Sequence, residues 1–246
     1  MRVATYNIRN VRAMDRASWW WRRRGAVRAV VAGLDADVVA LQEAYPSQIR
    51  WLRDDPLTAS EWQVAGRGRN AGGGGEAAPI FTRSSALANR TEVTRWFGPD
   101  PDRAGSRPPG AAHPRIATIA DYDLVGDDAE LTIANVHLDP VSGERRAASV
   151  DQLLGWLEPR LGGPMIVLGD FNGPLTESWH SALRAAGLRS ALEDGVGPTA
   201  NGFGAASGQQ QIDHVFVSAN FEVVAATIHT EAGHASDHYP VTVELR

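Results

Sequence analysis

The stretch Met165-Ile166-Val167-Leu168-Gly169-Asp170-Phe171-Asn172 (MIVLGDFN) decides how this chain folds. Its apolar residues, stopped by a glycine, read as a short strand covered on both faces rather than as an amphipathic helix. The strand exit then delivers a carboxylate and an amide, Asp170 and Asn172. Asp and Asn suit tight turns wherever they occur, which explains the residue types but not the apolar strand ahead of them. A second run, Ser236-Asp237-His238-Tyr239-Pro240-Val241 (SDHYPV), sets an acid and an imidazole beside another apolar strand at 241–245.

The same alternation extends outward. Residues 2–7 and 37–42 read as buried strands, and between them 19–34 reads as a helix with Trp20, Val27, Val30, Val31 and Leu34 on one face. A helix is expected at 47–53, with Pro56 to end it. Strands follow at 62–66, 78–82, 86–97, 115–122 and 130–137, then a helix at 143–157 and the strand at 165–169. A helix at 177–186 and strands at 211–217, 223–229 and 241–245 complete the pattern. Residues 66–77, with a four-glycine run, and 98–113, rich in Pro, Gly, Asp and Arg, read as loops. No internal repeat is visible. Strands outnumber helices, which predicts one α/β domain over 1–246, two mixed β-sheets packed face to face with helices outside.

At 246 residues the chain is long enough to bury a substantial core. No stretch nears the roughly 18 apolar residues of a membrane span. The opening MRVATYNI lacks the apolar segment of a secretory signal, so a cytoplasmic chain is expected, with a processed secreted form as the alternative. A monomer is expected. Without cysteine there are no disulfides and no thiolate metal sites. The net charge of -5 argues against a dedicated duplex-DNA binder. The distribution is uneven, however: Arg2, Arg9, Arg12, Arg16, Arg22, Arg23, Arg24 and Arg28 face one acid, Asp15, within residues 1–30.

Strand ends deliver Asn7, Glu43, Asn135 with His137, Asp170 with Asn172, Asp213 with His214, and Asp237 with His238. Any one of these is no more than a helix cap or a turn. Together they gather the carboxylates, imidazoles and amides that metal-assisted phosphate chemistry needs. On these residues the chain resembles the endonuclease/exonuclease/phosphatase superfamily, the DNase I-like metal-dependent phosphoesterases. The motifs, in order, are TYNI (5–8), LQE (41–43), GEAAPIF (75–81), PRIAT (114–118), NVHLD (135–139), GDFN (169–172), QIDHVFV (211–217) and SDHYPV (236–241). The resemblance implies a four-layered α/β sandwich, one or two Mg²⁺ or Mn²⁺ ions, and in-line attack of water on a phosphoester.

Roles follow residue by residue. Glu43 reads as the best metal ligand, since Mg²⁺ prefers a carboxylate among oxygen neighbours. Asn7 adds a neutral carbonyl oxygen, or else makes a structural hydrogen bond at its strand end. Asp237 is either a further ligand or a group supporting one. Asp170 is implied to orient or deprotonate the attacking water, and Asn172 to donate to a phosphate oxygen as charge builds. His238 with Asp213 resembles the family's His–carboxylate pair, in which the acid fixes the tautomer and favours the charged imidazole. Such a His supports a negative transition state or protonates the leaving oxygen. His137 resembles a second phosphate-facing His, and Glu76 stands where many members carry its carboxylate partner. Arg115 is a candidate phosphate clamp, the alternative being a surface salt bridge. Asn135 is expected to support or bind phosphate, and Asn201 to contact substrate. His214 reads as a packed structural residue, His180 and His229 as exposed or locally bonded, and His113 and His234 as loop residues without direct chemistry.

The run Trp19-Trp20-Trp21-Arg22-Arg23-Arg24 has two readings. One is a helix start with a Trp or two in the core; the other stacks Trp on a substrate ring while Arg holds phosphate. Residues 66–75 lack the acids some relatives carry there, so substrate contacts from that loop stay open. The expected activity is a soluble Mg²⁺- or Mn²⁺-dependent phosphoesterase for a small phosphorylated, nucleotide-like or lipid-headgroup substrate. The alternatives are an endonuclease or exonuclease on DNA or RNA, with the arginines as its backbone track, and an inactive phosphate-binding module. Fold membership does not name the substrate.

Overall fold

Inward-facing residues of the central strands are apolar at one end and polar at the other, and this switch positions everything that follows. The computed structural model describes residues 1–14, 18–54, 61–127, 129–192, 196–205 and 209–246. The elements are β1 (Arg2–Asn7), α1 (Trp20–Gly33), β2 (Val38–Gln42), α2 (Pro46–Arg53), β3 (Trp62–Ala65), β4 (Ile80–Arg83), β5 (Leu87–Phe97) and β6 (Arg115–Leu124). They continue with β7 (Glu130–His137), α3 (Gly143–Leu157), β8 (Met165–Asp170), α4 (Ser178–Ala185), β9 (Arg189–Ser190), β10 (Asp213–Val217), β11 (Val223–Ile228) and β12 (Val241–Leu245).

Two six-stranded mixed sheets result, ordered β11-β12-β1-β2-β4-β3 and β5-β6-β7-β8-β10-β9. Because side chains alternate along a strand, each sheet has an inner and an outer face. Val3, Val38, Ala40, Ile133, Ile166, Leu168, Val215 and Val243 meet between the sheets in one core. Outside the first sheet, Ala4, Tyr6, Val39 and Leu41 pack on Trp20, Val27 and Val31 of α1 and Leu52 of α2. Outside the second, Val136, Val167 and Phe216 pack on Val150, Leu153 and Leu157 of α3 and Trp179 and Leu183 of α4. These layers form the expected sandwich. Among the described residues no helix is long and apolar enough to cross a membrane.

Element edges differ from the sequence reading where local chemistry intervenes. β4 starts at Ile80 rather than 78, because Pro79 has no N–H to donate, although its carbonyl still accepts from Leu41. The short β9 carries no alternation that could announce it. α2 begins one residue early, with Pro46 in its first turn. Pro56, Asp15 and Arg16 lie outside the described residues.

Candidate active site

Register builds half of the site. His137 of β7 lies opposite Asp170 of β8, and Asp170 lies opposite Asp213 of β10, so three polar side chains form one row across the second sheet. Gly169, just before the row, has φ of 143°, and a Cβ there would stand 2.1 Å from the Val136 carbonyl oxygen. Only glycine lets β7 and β8 close at that point.

The first sheet supplies the other half. β1 ends on Asn7, level with Gln42 of β2, and Glu43 follows immediately with φ of 59°. Asp237 and His238 precede β12, which pairs with β1. The halves are joined by direct bonds between the sheets. Asn7 Nδ2 donates to Asp170 Oδ2 at 2.9 Å and to Glu43 Oε1 at 3.3 Å. His238 Nδ1 meets Asp213 Oδ2 at 2.8 Å, while its Nε2 lies 4.0 Å from Asp170 Oδ2. Gln42 Nε2 donates to Asn135 Oδ1 at 2.8 Å.

Electrostatics follow from this burial. Desolvation alone would discharge His238, but Asp213 and then Asp170 and Asp237 outweigh it and push its pKa up to about 10. Asp170 is pushed the opposite way for an acid, up to about 7, by burial and by Asp213, although His238 and the Asn7 and Asn172 bonds resist. Glu43 is held below its ordinary value: burial would raise it, but Arg9 and the backbone and side-chain N–H groups of Asn10 prevail. His137 falls well below the usual range through burial beside Arg115 and Arg69. Its Nε2 faces Arg115 Nη1 at 2.6 Å and so accepts that bond as a neutral imidazole.

Glu43 and Asp237 converge on one cation, the Arg9 guanidinium, whose Nη1 is 3.9 Å from Glu43 Oε1 and 3.5 Å from Asp237 Oδ2. These two carboxylates are oxygen donors of the kind Mg²⁺ and Mn²⁺ take, whereas the Asn7 carbonyl oxygen accepts from the Arg9 backbone N–H at 3.0 Å, which makes Asn7 the structural hydrogen-bonding residue of the two roles expected for it. Asp170, Asp213 and His238 also bring one donor atom each within 4.8 Å of one another. An imidazole kept charged by that pair has no lone pair for a metal, so the oxygen set fits a divalent ion better.

Several expectations need correction. Glu76 is not the partner of His137: it pairs with Arg69 at 2.6 Å, and burial beside Glu43 raises its pKa. Asn201 donates to the Ser236 carbonyl and accepts from Phe203 N–H, so it ties its loop to the SDHYPV segment. Asn135 gives both N–H groups to the Leu41 and Pro79 carbonyls and so takes the supporting one of the two roles expected for it. Arg115 is buried and makes no surface salt bridge. Asn172 takes positive φ, accepts no strand register, and donates its backbone N–H to Asp170 Oδ1 and one side-chain N–H to the Leu138 carbonyl.

His214 is packed between Phe171, Trp179 and Phe216, as expected. His180 and His229 are bonded locally, to Leu175 and to Glu231 and Thr242. The Trp19–Arg24 run divides: Trp20 enters the core, and Arg23 is a buried staple donating to the Ile8, Arg9 and Ala235 carbonyls. Sequence reading missed Arg9, Asn10 and Arg69. The first two follow TYNI directly, and a charged–amide pair at a strand exit was the available signal.

The family model described as "Endonuclease/Exonuclease/phosphatase family" matches residues 4–238. The chain belongs to the endonuclease/exonuclease/phosphatase family. Members of this family are phosphoesterases that generally depend on divalent metal ions. Among solved structures, a mannosyl-6-phosphatase from Bacteroides thetaiotaomicron VPI-5482 is 26% identical with a TM-score of 0.89, covering 100% of this chain and 99% of its own. An endonuclease/exonuclease/phosphatase from Bacteroides vulgatus is 27% identical, TM-score 0.89, covering 100% and 98%. The human Nocturnin catalytic domain, 18% identical with a TM-score of 0.72 over 100% and 94% of the two chains, shares the fold. No curated protein matches the sequence.

Proposed function

We propose that this family member is a Mg²⁺- or Mn²⁺-dependent phosphatase that hydrolyses a small phosphomonoester, such as a sugar phosphate, by in-line attack of water. The observation that carries the reading is the meeting of the two half-sites, in which Asn7 bridges Glu43 to Asp170 while His238 bridges Asp213 toward that same carboxylate. An inactive binding module has no need of such a relay. Glu43 and Asp237 would hold the ion, with Asn7 orienting the Glu43 carboxylate, and the ion would polarise a phosphoryl oxygen and favour the nucleophilic form of water.

The chain's own residues do the rest. Asp170, held by Asn7 and the Asn172 backbone, takes the proton from water. The second N–H of the Asn172 amide is left to donate to a phosphate oxygen. His238, charged by Asp213, donates from Nε2 to the phosphate or to the leaving oxygen. Arg115, anchored on neutral His137, supplies positive charge on the far side of Asp170. A monoester is favoured because the charged His238 and the Arg115–His137 pair flank Asp170 and together suit a dianionic terminal phosphate. The similarity to a mannosyl-6-phosphatase supports the same class.

Purified protein with Mn²⁺ should release inorganic phosphate from mannose 6-phosphate or another hexose phosphate, and Asp170→Ala should abolish release while the chain stays folded. Inertness toward every phosphomonoester, phosphodiester and nucleic acid would exclude an enzyme. Release from diesters or nucleic acids alone would replace the monoester reading with the nuclease one.

A further inference from the structure

The mechanism above uses Arg115 and leaves unused the loop that leads into it. Two positions ahead of Arg115, which opens β6, that loop carries His113, and before it Arg107. The Arg107 guanidinium folds back on the same segment, with Nη1 donating to the Ala112 carbonyl at 3.2 Å, so it stands beside His113. Both side chains are exposed. Two residues of extended chain span at most about 7 Å, which keeps His113 that close to the Arg115 backbone. From there the contacts run inward: Arg115 Nη1 meets His137 Nε2 at 2.6 Å, and His137 Nε2 lies 3.6 Å from Asp170 Oδ2. Arg107 and His113 therefore stand at the mouth of the site, one step outside the residues that meet the reacting phosphate.

Charge in this region is unevenly matched. Arg69 is paired with Glu76, and Arg115 lies in the field of Glu76, Asp170 and Glu43. The acids of the loop itself are engaged, Asp100 with Arg103 at 3.5 Å and Asp102 with Arg95 at 3.2 Å. Arg107 makes no ion pair with a described acid. His113 is pushed below the usual imidazole range by partial desolvation and by Arg69, Arg115 and Arg107, with no acid to counter them. An imidazole among three guanidiniums marks a place where an anion is favoured.

The loop is also held ready. Gly98 exchanges two bonds with the Gln152 side chain of α3, at 3.0 and 2.9 Å, and Ala111 N–H donates to the Pro108 carbonyl at 3.0 Å. Gly98 has φ of 142°, and a Cβ there would stand 2.8 Å from the Arg107 carbonyl carbon, so the backbone doubles back on itself. Pro108, Pro109 and Pro114 restrict the chain further. A loop ordered in this way loses little freedom when a ligand binds.

We propose that Arg107 and His113 bind a second phosphate of the substrate, so that the preferred substrate is a small bisphosphate, such as a sugar bisphosphate, rather than a monophosphate. Arg107 offers the N–H groups not used on Ala112, and His113 offers an imidazole N–H. The reacting phosphate meets His238 and Arg115 while the second is held further out on the same molecule. The inference rests on the phosphatase reading for the reaction, but the anion site itself is measured without hydrolysis.

Titration calorimetry in EDTA makes that measurement. The wild type should bind fructose 1,6-bisphosphate about tenfold or more tightly than fructose 6-phosphate, and this ratio should fall about tenfold in Arg107→Gln and in His113→Ala. With Mn²⁺, kcat/KM for release of inorganic phosphate should show the same ratio, lost in the variants through KM rather than kcat. Unchanged thermal melting identifies folded variants; should Arg107→Gln melt lower for want of its Ala112 bond, His113→Ala carries the test. No binding of the bisphosphate, equal affinity for the two sugars, or a wild-type ratio in the folded variants would overturn the proposal even where both sugars are hydrolysed. Hydrolysis of neither sugar, with the binding ratio present and sensitive to the variants, would instead remove the phosphatase reading and leave the second anion site standing.

Discussion

Replacing Asp213 by Asn isolates the charge of the His238 partner from its shape. Asp213 Oδ2 accepts from His238 Nδ1, while Asp213 Oδ1 is buried without a hydrogen-bond partner among the described residues. The Asn carbonyl can therefore keep the imidazole bond, with its NH₂ in the unpartnered position, and the fold should lose only about 1–2 kcal/mol. The electrostatic change is much larger. Moving an imidazole from 6.5 to about 10 corresponds to roughly 5 kcal/mol of preference for the charged form, and Asp213 is the chief favourable cause. Without it, proton affinity at His238 should drop about 100-fold, leaving burial to favour the neutral ring. Measured as kcat/KM against pH on p-nitrophenyl phosphate with Mn²⁺, the alkaline limb should move toward neutrality, and kcat at pH 8 should fall about 10²–10⁴-fold. NMR of the His238 ring should show the same displacement. An alkaline limb that stays in place, with only the melting temperature lowered, would show Asp213 to be structural and refute the charge argument.

In EDTA, Asp170 and His238 should each cost the fold stability as pH rises, while neutral His137 works in the opposite direction below 6.5. The sign follows from proton counts: between 3.8 and about 7 the fold keeps a proton on Asp170 that the unfolded chain releases, and between 6.5 and about 10 it keeps one on His238. Calorimetry should show Asp170→Asn flattening the first window; an unchanged slope would contradict the assignment. Glu43→Gln should weaken Mn²⁺ binding about 10- to 100-fold by isothermal titration, and wild-type affinity would remove Glu43 from the ion's donor set. Gly169→Ala should cost about 4 kcal/mol or more in urea unfolding, since its Cβ would sit 2.1 Å from Val136 oxygen; a loss under about 1 kcal/mol would show that β7 and β8 can part there.

Alternation made the sandwich legible. Runs such as VVALQ and MIVLG betray strands covered on both faces, and the residues that close each run are the ones the register later aligns. What could not be read is pairing between loops. Glu76 has Arg69 as its partner because the backbone of 66–77 folds back on itself, with Arg69 N–H bonded to the Glu76 carbonyl, a contact that no periodicity announces. Arg9 belongs to the site only because a loop far along the chain brings Asp237 beside Glu43. The same limit explains Asn201, whose residue type suits a substrate contact and a loop tie equally well until its bonds to Ser236 and Phe203 are seen. The Arg-rich opening segment was visible, but the burial of Arg23 as a staple depends on which side of α1 faces the sheet.

β12 enters the first sheet between β11 and β1, and the Met1 amino group donates to the Leu245 carbonyl. Asn7 leaves the ribosome long before His238, which stands 231 positions further on. A growing chain therefore lacks the second half of the site until Asp237 and His238 have been made, and a product broken off before Asp237 lacks an inner strand together with the imidazole. Hydrolytic capacity thus waits for that late segment, and chains broken off ahead of it would be inert rather than partly active.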